Sequence, residues 1–164
     1  METAFTFRLE ILKKELDSIN TSIRKIDDIG NSIKNWAILI WAGSISAILT
    51  KNNLHNYIIF TAILPLVFMI TDAYWRQVQR RFSYRQQQIA DFLNSQELDK
   101  SFENKTFDFT LLDPIAKKSS HKTNFKTHTS IIRIITYPTV SFIYIGLSFV
   151  SLFLTGALLY FPTS

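Results

Sequence analysis

Apolar residues recur along the first third of the chain with gaps that alternate between four and three residues. The series begins at Phe5 and misses one position, where Gly30 stands. A repeat of 3.5 residues predicts an α-helix that packs along one stripe against another helix, as in a coiled coil. The stripe, here the predicted bundle or oligomer seam, comprises Leu9, Leu12, Leu16, Ile19, Ile23, Ile26 and Ile33.

Three long stretches of the chain carry no charged side chain: Asn35 to Thr50, Asn52 to Thr71, and Ile134 to Ser164. About 20 apolar residues are needed to cross roughly 30 Å of hydrocarbon. The first stretch is the shortest, but Lys34 and Lys51 at its ends can extend their ammonium groups to the membrane surface. The alternative is a helical hairpin buried in a soluble bundle. We predict three transmembrane helices, at residues 35–50, 54–71 and 134–161.

The distribution of positive charge predicts how these helices are oriented. All 18 Lys and Arg residues except Lys51 lie before the first uncharged stretch or between the second and the third. Because positive residues are retained in the cytoplasm during insertion, we expect a cytoplasmic N-terminus and a periplasmic C-terminus in a bacterial inner membrane. The net charge of +5 is then explained by topology and by contact with the lipid bilayer, and we expect no direct binding of nucleic acid.

These patterns together predict an all-α integral membrane protein with a cytoplasmic helical bundle. The N-terminal segment, residues 1–34, continues into the first span as one helix from about Phe5 to Leu49. Its packing partner is either the Arg-rich helix at residues 72–97 or other copies of the chain in a homo-oligomer, and we expect both. Residues 98–133 are predicted to be a cytoplasmic loop region, with a short extended anchor from Phe107 to Leu112.

The register of the seam continues through the first span at mostly small or hydroxylated residues. Small residues allow transmembrane helices to approach closely, and close packing drives their association in lipid. If copies assemble around an axis, this face would line a pore. The candidate lining residues are Ala37, Ile40, Ser44 and Ala47.

A charged group follows the second span directly. Asp72 and Arg76 are one helical turn apart, and Arg80 and Arg81 lie one turn further on. This group is predicted either to hold the helix at the membrane boundary or to form a ring of charge at the cytoplasmic mouth of a pore, where such rings set ion selectivity.

Catalytic chemistry finds no support in the sequence. The chain has no cysteine, and its histidines are His55, His121 and His128, without the carboxylate or thiol neighbours that a zinc site needs. Neither a glycine-rich phosphate loop nor a Gly-x-Ser-x-Gly nucleophile elbow is present. We therefore expect no enzyme, no cofactor and no metal site.

The block ITDAYWRQVQRRFSYRQQ after a two-span hairpin, followed by FDFTLLDP and a basic loop, resembles small bacterial membrane effectors of anti-phage systems. These include SLATT-type proteins and accessory membrane proteins of CRISPR loci. The resemblance covers Asn35 to Leu112, and the third span departs from the two-span pattern. It implies an oligomeric, channel-like pore that perturbs the membrane potential under control of a cytosolic protein partner. The alternative is a non-conducting membrane anchor or scaffold subunit of a larger complex.

Overall fold

The computed structural model describes residues 2–51, 54, 57–106, 109 and 129–160. Five helices run through these residues, and none of the described residues forms a β-strand. The all-α fold class is therefore confirmed. In chain order the helices are α1 (Glu2–Thr50), α2 (Phe60–Leu93), α3 (Gln96–Asn104), α4 (Ile131–Ile135) and α5 (Pro138–Tyr160).

The chain forms two compact units. The first, here called the seam unit, comprises Met1–Asp27 and Val78–Thr129. The second, here called the apolar unit, comprises Asp28–Gln77 and Ser130–Ser164. Helices α1 and α2 each contribute to both units. Each is a single uninterrupted helix, of 49 residues in α1 and 34 residues in α2. The prediction of a single N-terminal helix from about Phe5 to Leu49 is confirmed.

The heptad stripe of α1 is the core of the seam unit. Leu12 and Ile19 are buried together with Ile89 and Phe92 of α2. Helix α2 of the same chain is thus one packing partner of this stripe, and contact with other copies of the chain stays a prediction. Leu9, Leu16 and Ile23 pack around the same cluster, partly buried.

Helix α3 occupies part of the region that was predicted to be a loop, so that prediction is wrong for residues 98–104. The hydroxyl oxygen of Ser95 accepts a hydrogen bond from the backbone N–H of Glu97, which satisfies one of the free amides at the helix start. Glu97 and Asp99 add negative charge where the helix dipole is positive. The helix ends at Asn104, and the next residue, Lys105, adopts the left-handed conformation with φ 51°. The predicted anchor from Phe107 to Leu112 lies outside the described residues except for Phe109.

The predicted second span differs from the observed helix at its start. Tyr57 to Ile59 form a turn, and α2 begins at Phe60 rather than near residue 54. The turn is closed by the Thr61 hydroxyl, which donates to the carbonyl of Ile58 over 2.6 Å. Pro65 lies inside α2, where it removes one backbone hydrogen bond.

The predicted third span is divided into two helices. Thr136 and Tyr137 separate α4 from α5, and the Thr136 hydroxyl donates to the carbonyl of Arg133 over 2.7 Å. The break is explained by Pro138, because proline disfavours the α-conformation in the residue before it and is well suited to the first position of a helix.

Two of the helices are long and apolar enough to cross a membrane: α1, over the range Ala4–Thr50, and α5, over the range Pro138–Leu158. Only 17% and 22% of their most apolar windows are buried, whereas the core helix of a soluble protein is mostly buried. The helical part of the second predicted span, from Phe60, does not pass the same test.

Candidate functional site: a charged cluster in the apolar unit

The side chain of Asp72 is completely buried where α1, α2 and α5 meet. Its Oδ2 accepts a hydrogen bond from the Tyr144 hydroxyl at 3.1 Å and lies 3.9 Å from the Lys34 ammonium. Its Oδ1 lies 3.8 Å from Nε of Arg76 and accepts no hydrogen bond among the described residues. The two cationic side chains keep 16% and 23% of their surface exposed. One carboxylate therefore contacts cations or donors on three helices.

Lys34 extends this cluster to the start of α5. Its ammonium group donates to the backbone carbonyl of Thr139 over 3.1 Å. The lysine thus bridges the Asp72 carboxylate on α2 and the first turn of α5.

Gly30 makes room for the cluster. A Cβ added at this position would lie 3.2 Å from Nη2 of Arg76 and 3.3 Å from Oδ1 of Asp72. Both distances are shorter than ordinary contacts. The glycine that interrupts the heptad pattern therefore stands where a polar cluster, and not an apolar knob, contacts α1.

The electrostatics of Asp72 reflect two opposed effects. Burial raises the pKa of this carboxyl above its usual range, since an ion loses hydration inside the protein. Lys34, the Tyr144 hydrogen bond and Arg76 act in the opposite direction, in that order of size, and do not fully compensate. The carboxylate is thus held by its neighbours at a net electrostatic cost.

Other polar side chains also face the interior of the apolar unit. The indole N–H of Trp41 donates to the Ser151 hydroxyl over 2.8 Å, and Ser148 donates to the carbonyl of Ala62 over 2.9 Å. Thr155 donates to the carbonyl of Ser151. The outer surface of the same unit carries large apolar side chains, among them Leu39, Val67, Phe142, Phe149 and Phe153.

The predicted pore-lining residues do not share one environment. Ala37 is fully buried, because α1 packs inward through Ala37, Ile45 and Ile48, a face rotated from the predicted one. The inclusion of Ala37 in a lining between copies of the chain is therefore wrong. Ile40 and Ala47 are exposed, and Ser44 is half-buried with its hydroxyl donating to the carbonyl of Ile40.

The predicted charge cluster is also only partly assembled. Asp72 and Arg76 are together, while Arg80 and Arg81 belong to the seam unit. Arg80 is exposed and Arg81 is half-buried. Gly30, Lys34 and Tyr144 also belong to the site, and the sequence analysis did not identify them as members. One signal was present in the sequence: the gap in the heptad repeat at Gly30 marks the turn of α1 that contacts Asp72.

A second buried ion pair lies in the seam unit. Arg85 donates from Nε and Nη2 to the two carboxylate oxygens of Glu15, over 2.8 and 3.1 Å. Its guanidinium lies 4.8 Å from the centre of the Phe109 ring, and that ring stacks on Phe92. Phe109 is thereby held on the core of the seam unit.

Within the described residues no group of three or more His, Asp or Glu could hold a metal ion. The three histidines lie outside those residues. The fold and the cluster define an all-helical protein with one unit that has an apolar surface and a polar cluster in its interior. Comparison of the chain with protein-family models, curated proteins and solved structures finds no match.

Proposed function

We propose that the apolar unit is embedded in the bacterial inner membrane as three spans and that it anchors the seam unit in the cytoplasm. The observation that carries this proposal is the apolar surface of the apolar unit. Large apolar side chains are exposed along its helices, while the polar side chains of Asp72, Ser148 and Ser151 are buried together with isoleucines and alanines. In lipid the backbone and polar side chains must find partners inside the protein, whereas apolar side chains are free to face outward.

Exposed aromatic residues support a membrane boundary at the level of the charged cluster. Trp36 and Tyr74 each lie two residues after a cluster member, and Tyr137 lies two residues before Thr139, which Lys34 contacts. All three side chains are exposed. Tryptophan and tyrosine prefer the interface between lipid and water. We call these three residues the inner aromatic belt.

The lengths of the helices fit this placement. From Lys34 to Thr50, α1 rises about 24 Å, and the 23 residues of α5 rise about 34 Å. The hydrocarbon core measures about 30 Å. Exposed Tyr57 and Tyr160 lie near the far ends. In this placement the remaining span comprises the first part of α2, from Phe60, together with the turn before it.

Cysteine labelling tests the anchor and its orientation, because the natural chain has no cysteine. A membrane-impermeant maleimide applied to spheroplasts should label Lys51→Cys and Tyr160→Cys. It should label Ser18→Cys, an exposed position of the seam unit, only after lysis. Equal labelling of all three variants in intact spheroplasts, or recovery of the chain in the soluble fraction, would refute the proposal.

A second candidate function is an oligomeric pore, as the resemblance implies, with a cytosolic partner controlling it. One observation favours it: Ile40, Gly43 and Ala47 form an exposed face of α1, and nothing lies within 4 Å of a Cβ placed at Gly43. Small residues at a spacing of four allow two helices to approach closely in lipid. The seam of α1 is a less favourable surface for this assembly, since α2 of the same chain already packs on Leu12 and Ile19.

The pore is tested by Ile40→Asp, since a charged ring would keep a hydrophobic constriction wet and open. We expect cells that express this variant to lose membrane potential, measured with a voltage-sensitive dye. The matched control is Leu39→Asp, which places the same charge on another exposed position of α1. An equal response to both variants, at equal protein levels in the membrane, would favour the anchor.

A further inference from the structure

Helix α4 lies at the same level as the inner aromatic belt. Its buried residue Ile134 packs against Ala73, the neighbour of Asp72, and Val140 of α5 completes this small core. Ile131 and Ile135 pack against the same cluster and are partly buried. The short helix is therefore fixed to α2 at the position where the chain is proposed to leave the membrane.

The outer face of α4 carries one apolar and one cationic side chain side by side. Ile132 is 75% exposed, and Arg133 is exposed next to it. In water a fully exposed isoleucine gains nothing, whereas at a membrane surface it can enter the acyl region while an adjacent arginine reaches the phosphates. Exposed Tyr137 follows within one turn.

We propose that Arg133 binds the phosphate of an anionic phospholipid, with Ile132 inserted between the acyl chains beside it. This inference rests on the proposed membrane location of the apolar unit. Guanidinium groups bind phosphate through two parallel hydrogen bonds, and the negative potential of the cytoplasmic leaflet attracts cations placed just above the hydrocarbon. The packing of Ile134 against Ala73 fixes α4 to α2, so the backbone of Arg133 is held at the depth of the lipid phosphates.

The phospholipid is preferred over a free anion because of the isoleucine. A site for inorganic phosphate would need only the guanidinium and other donors. An exposed apolar side chain beside it adds affinity only for a ligand with an acyl chain. The two sources of phosphate are therefore separable by experiment.

The test uses the full-length protein purified in a mild uncharged detergent. Phosphatidylglycerol or phosphatidylcholine with the same acyl chains is added, and bound lipid is counted by native mass spectrometry. We expect retention of phosphatidylglycerol over phosphatidylcholine, and about a five-fold loss of that preference in Arg133→Gln. Arg133→Lys should retain part of it. Arg24→Gln, which removes an exposed arginine from the seam unit, should retain all of it.

Three results would overturn the proposal. The unsubstituted protein could bind both lipids equally, Arg133→Gln could keep the full preference, or inorganic phosphate could displace phosphatidylglycerol at equal concentration. None of these results touches the membrane location itself, which the cysteine labelling tests separately. A variant that fails to fold is recognised by loss of its helical circular dichroism, and Ile132→Asn then replaces it, with the same expected reduction in retained lipid.

Discussion

The two units of this chain differ in the side chains that they bury and expose. The seam unit buries Leu12, Ile19 and Ile89, and of its described large apolar residues only Phe7, Leu93 and Phe102 are exposed. The apolar unit buries an aspartate, a tyrosine hydroxyl and serines beside isoleucines such as Ile45 and Ile134, and it exposes most of its large apolar side chains. One helix, α1, supplies residues to both. The difference supports the proposal that the solvent changes along α1, because burial of apolar surface stabilises helix packing only where water is the alternative.

The two units also differ in the kind of polar contact that connects their helices. In the seam unit the Glu15–Arg85 pair is short and bidentate and lies beside the apolar cluster of Leu12 and Ile89. In the apolar unit single hydrogen bonds such as that from Trp41 to Ser151 connect helices whose other contacts are with small or apolar groups. We expect these bonds to hold the apolar unit together, whereas in the seam unit the apolar core does so.

The largest expected effect comes from placing the same charge on the surface of each unit. Phe149→Asp puts a carboxylate near the middle of α5 at a residue that is 68% exposed. Insertion should then cost about 3 kcal/mol, and the fraction of chain that resists alkaline carbonate extraction should fall sharply. Phe7→Asp, at a residue 62% exposed in the seam unit, should change this fraction little. Similar losses in both variants would mean that the two surfaces face the same solvent.

Removal of one partner of the buried ion pair tests the seam unit. Glu15→Ala leaves the guanidinium of Arg85 buried without a counter-charge, and the cost should be about 3 kcal/mol. The double variant Glu15→Met with Arg85→Met should recover most of the stability, because it replaces a buried pair with apolar volume. Hydrogen exchange of the α2 amides around Ile89 measures the stability of both the single and the double variant. A double variant that exchanges faster than Glu15→Ala would contradict this account.

A substitution at Gly30 distinguishes the effect that the heptad repeat predicts from the effect that the structure predicts. Leucine would complete the heptad repeat, so the pattern alone predicts stabilisation. The structure predicts a loss of about 2 kcal/mol, because the new side chain would enter the space of Arg76 and Asp72. Gly43→Leu is the control, since a Cβ there meets nothing within 4 Å. The measurement is the thermal unfolding midpoint in detergent, and a higher midpoint for Gly30→Leu would show that the cluster does not need this space.

The sequence predicts long helices well and predicts the site only in part. The apolar repeat specifies α1 and its seam because every third or fourth position carries the same signal. Helix α3 escapes notice because its polar residues resemble a loop, and only the cap at Ser95 marks its start. Tyr144 and Lys34 reach Asp72 from helices 72 and 38 residues away in sequence, and no local pattern can indicate such a meeting. The orientation of α1 could not be predicted for the same reason: Ala37, Ser44 and Ala47, with Ile40 between them, describe a face, but only packing decides that Ala37 is inside.

The smallest expected effect is a pH dependence that belongs to Asp72 alone. Because burial raises the pKa of this carboxyl in the folded protein above its ordinary value of 3.8, the folded state binds the proton more tightly than the unfolded chain does. The contribution of Asp72 to stability is therefore greatest below pH 3.8 and declines as the pH rises toward the folded-state pKa. Asp72→Asn removes this decline and keeps an acceptor for Tyr144. The difference in unfolding midpoint between the natural protein and Asp72→Asn should thus shift in favour of the variant as the pH rises from about 3.8. Parallel pH curves for the two proteins would mean that the cations around Asp72 fully offset its burial, and the polar interior of the apolar unit would then carry no electrostatic cost at this position.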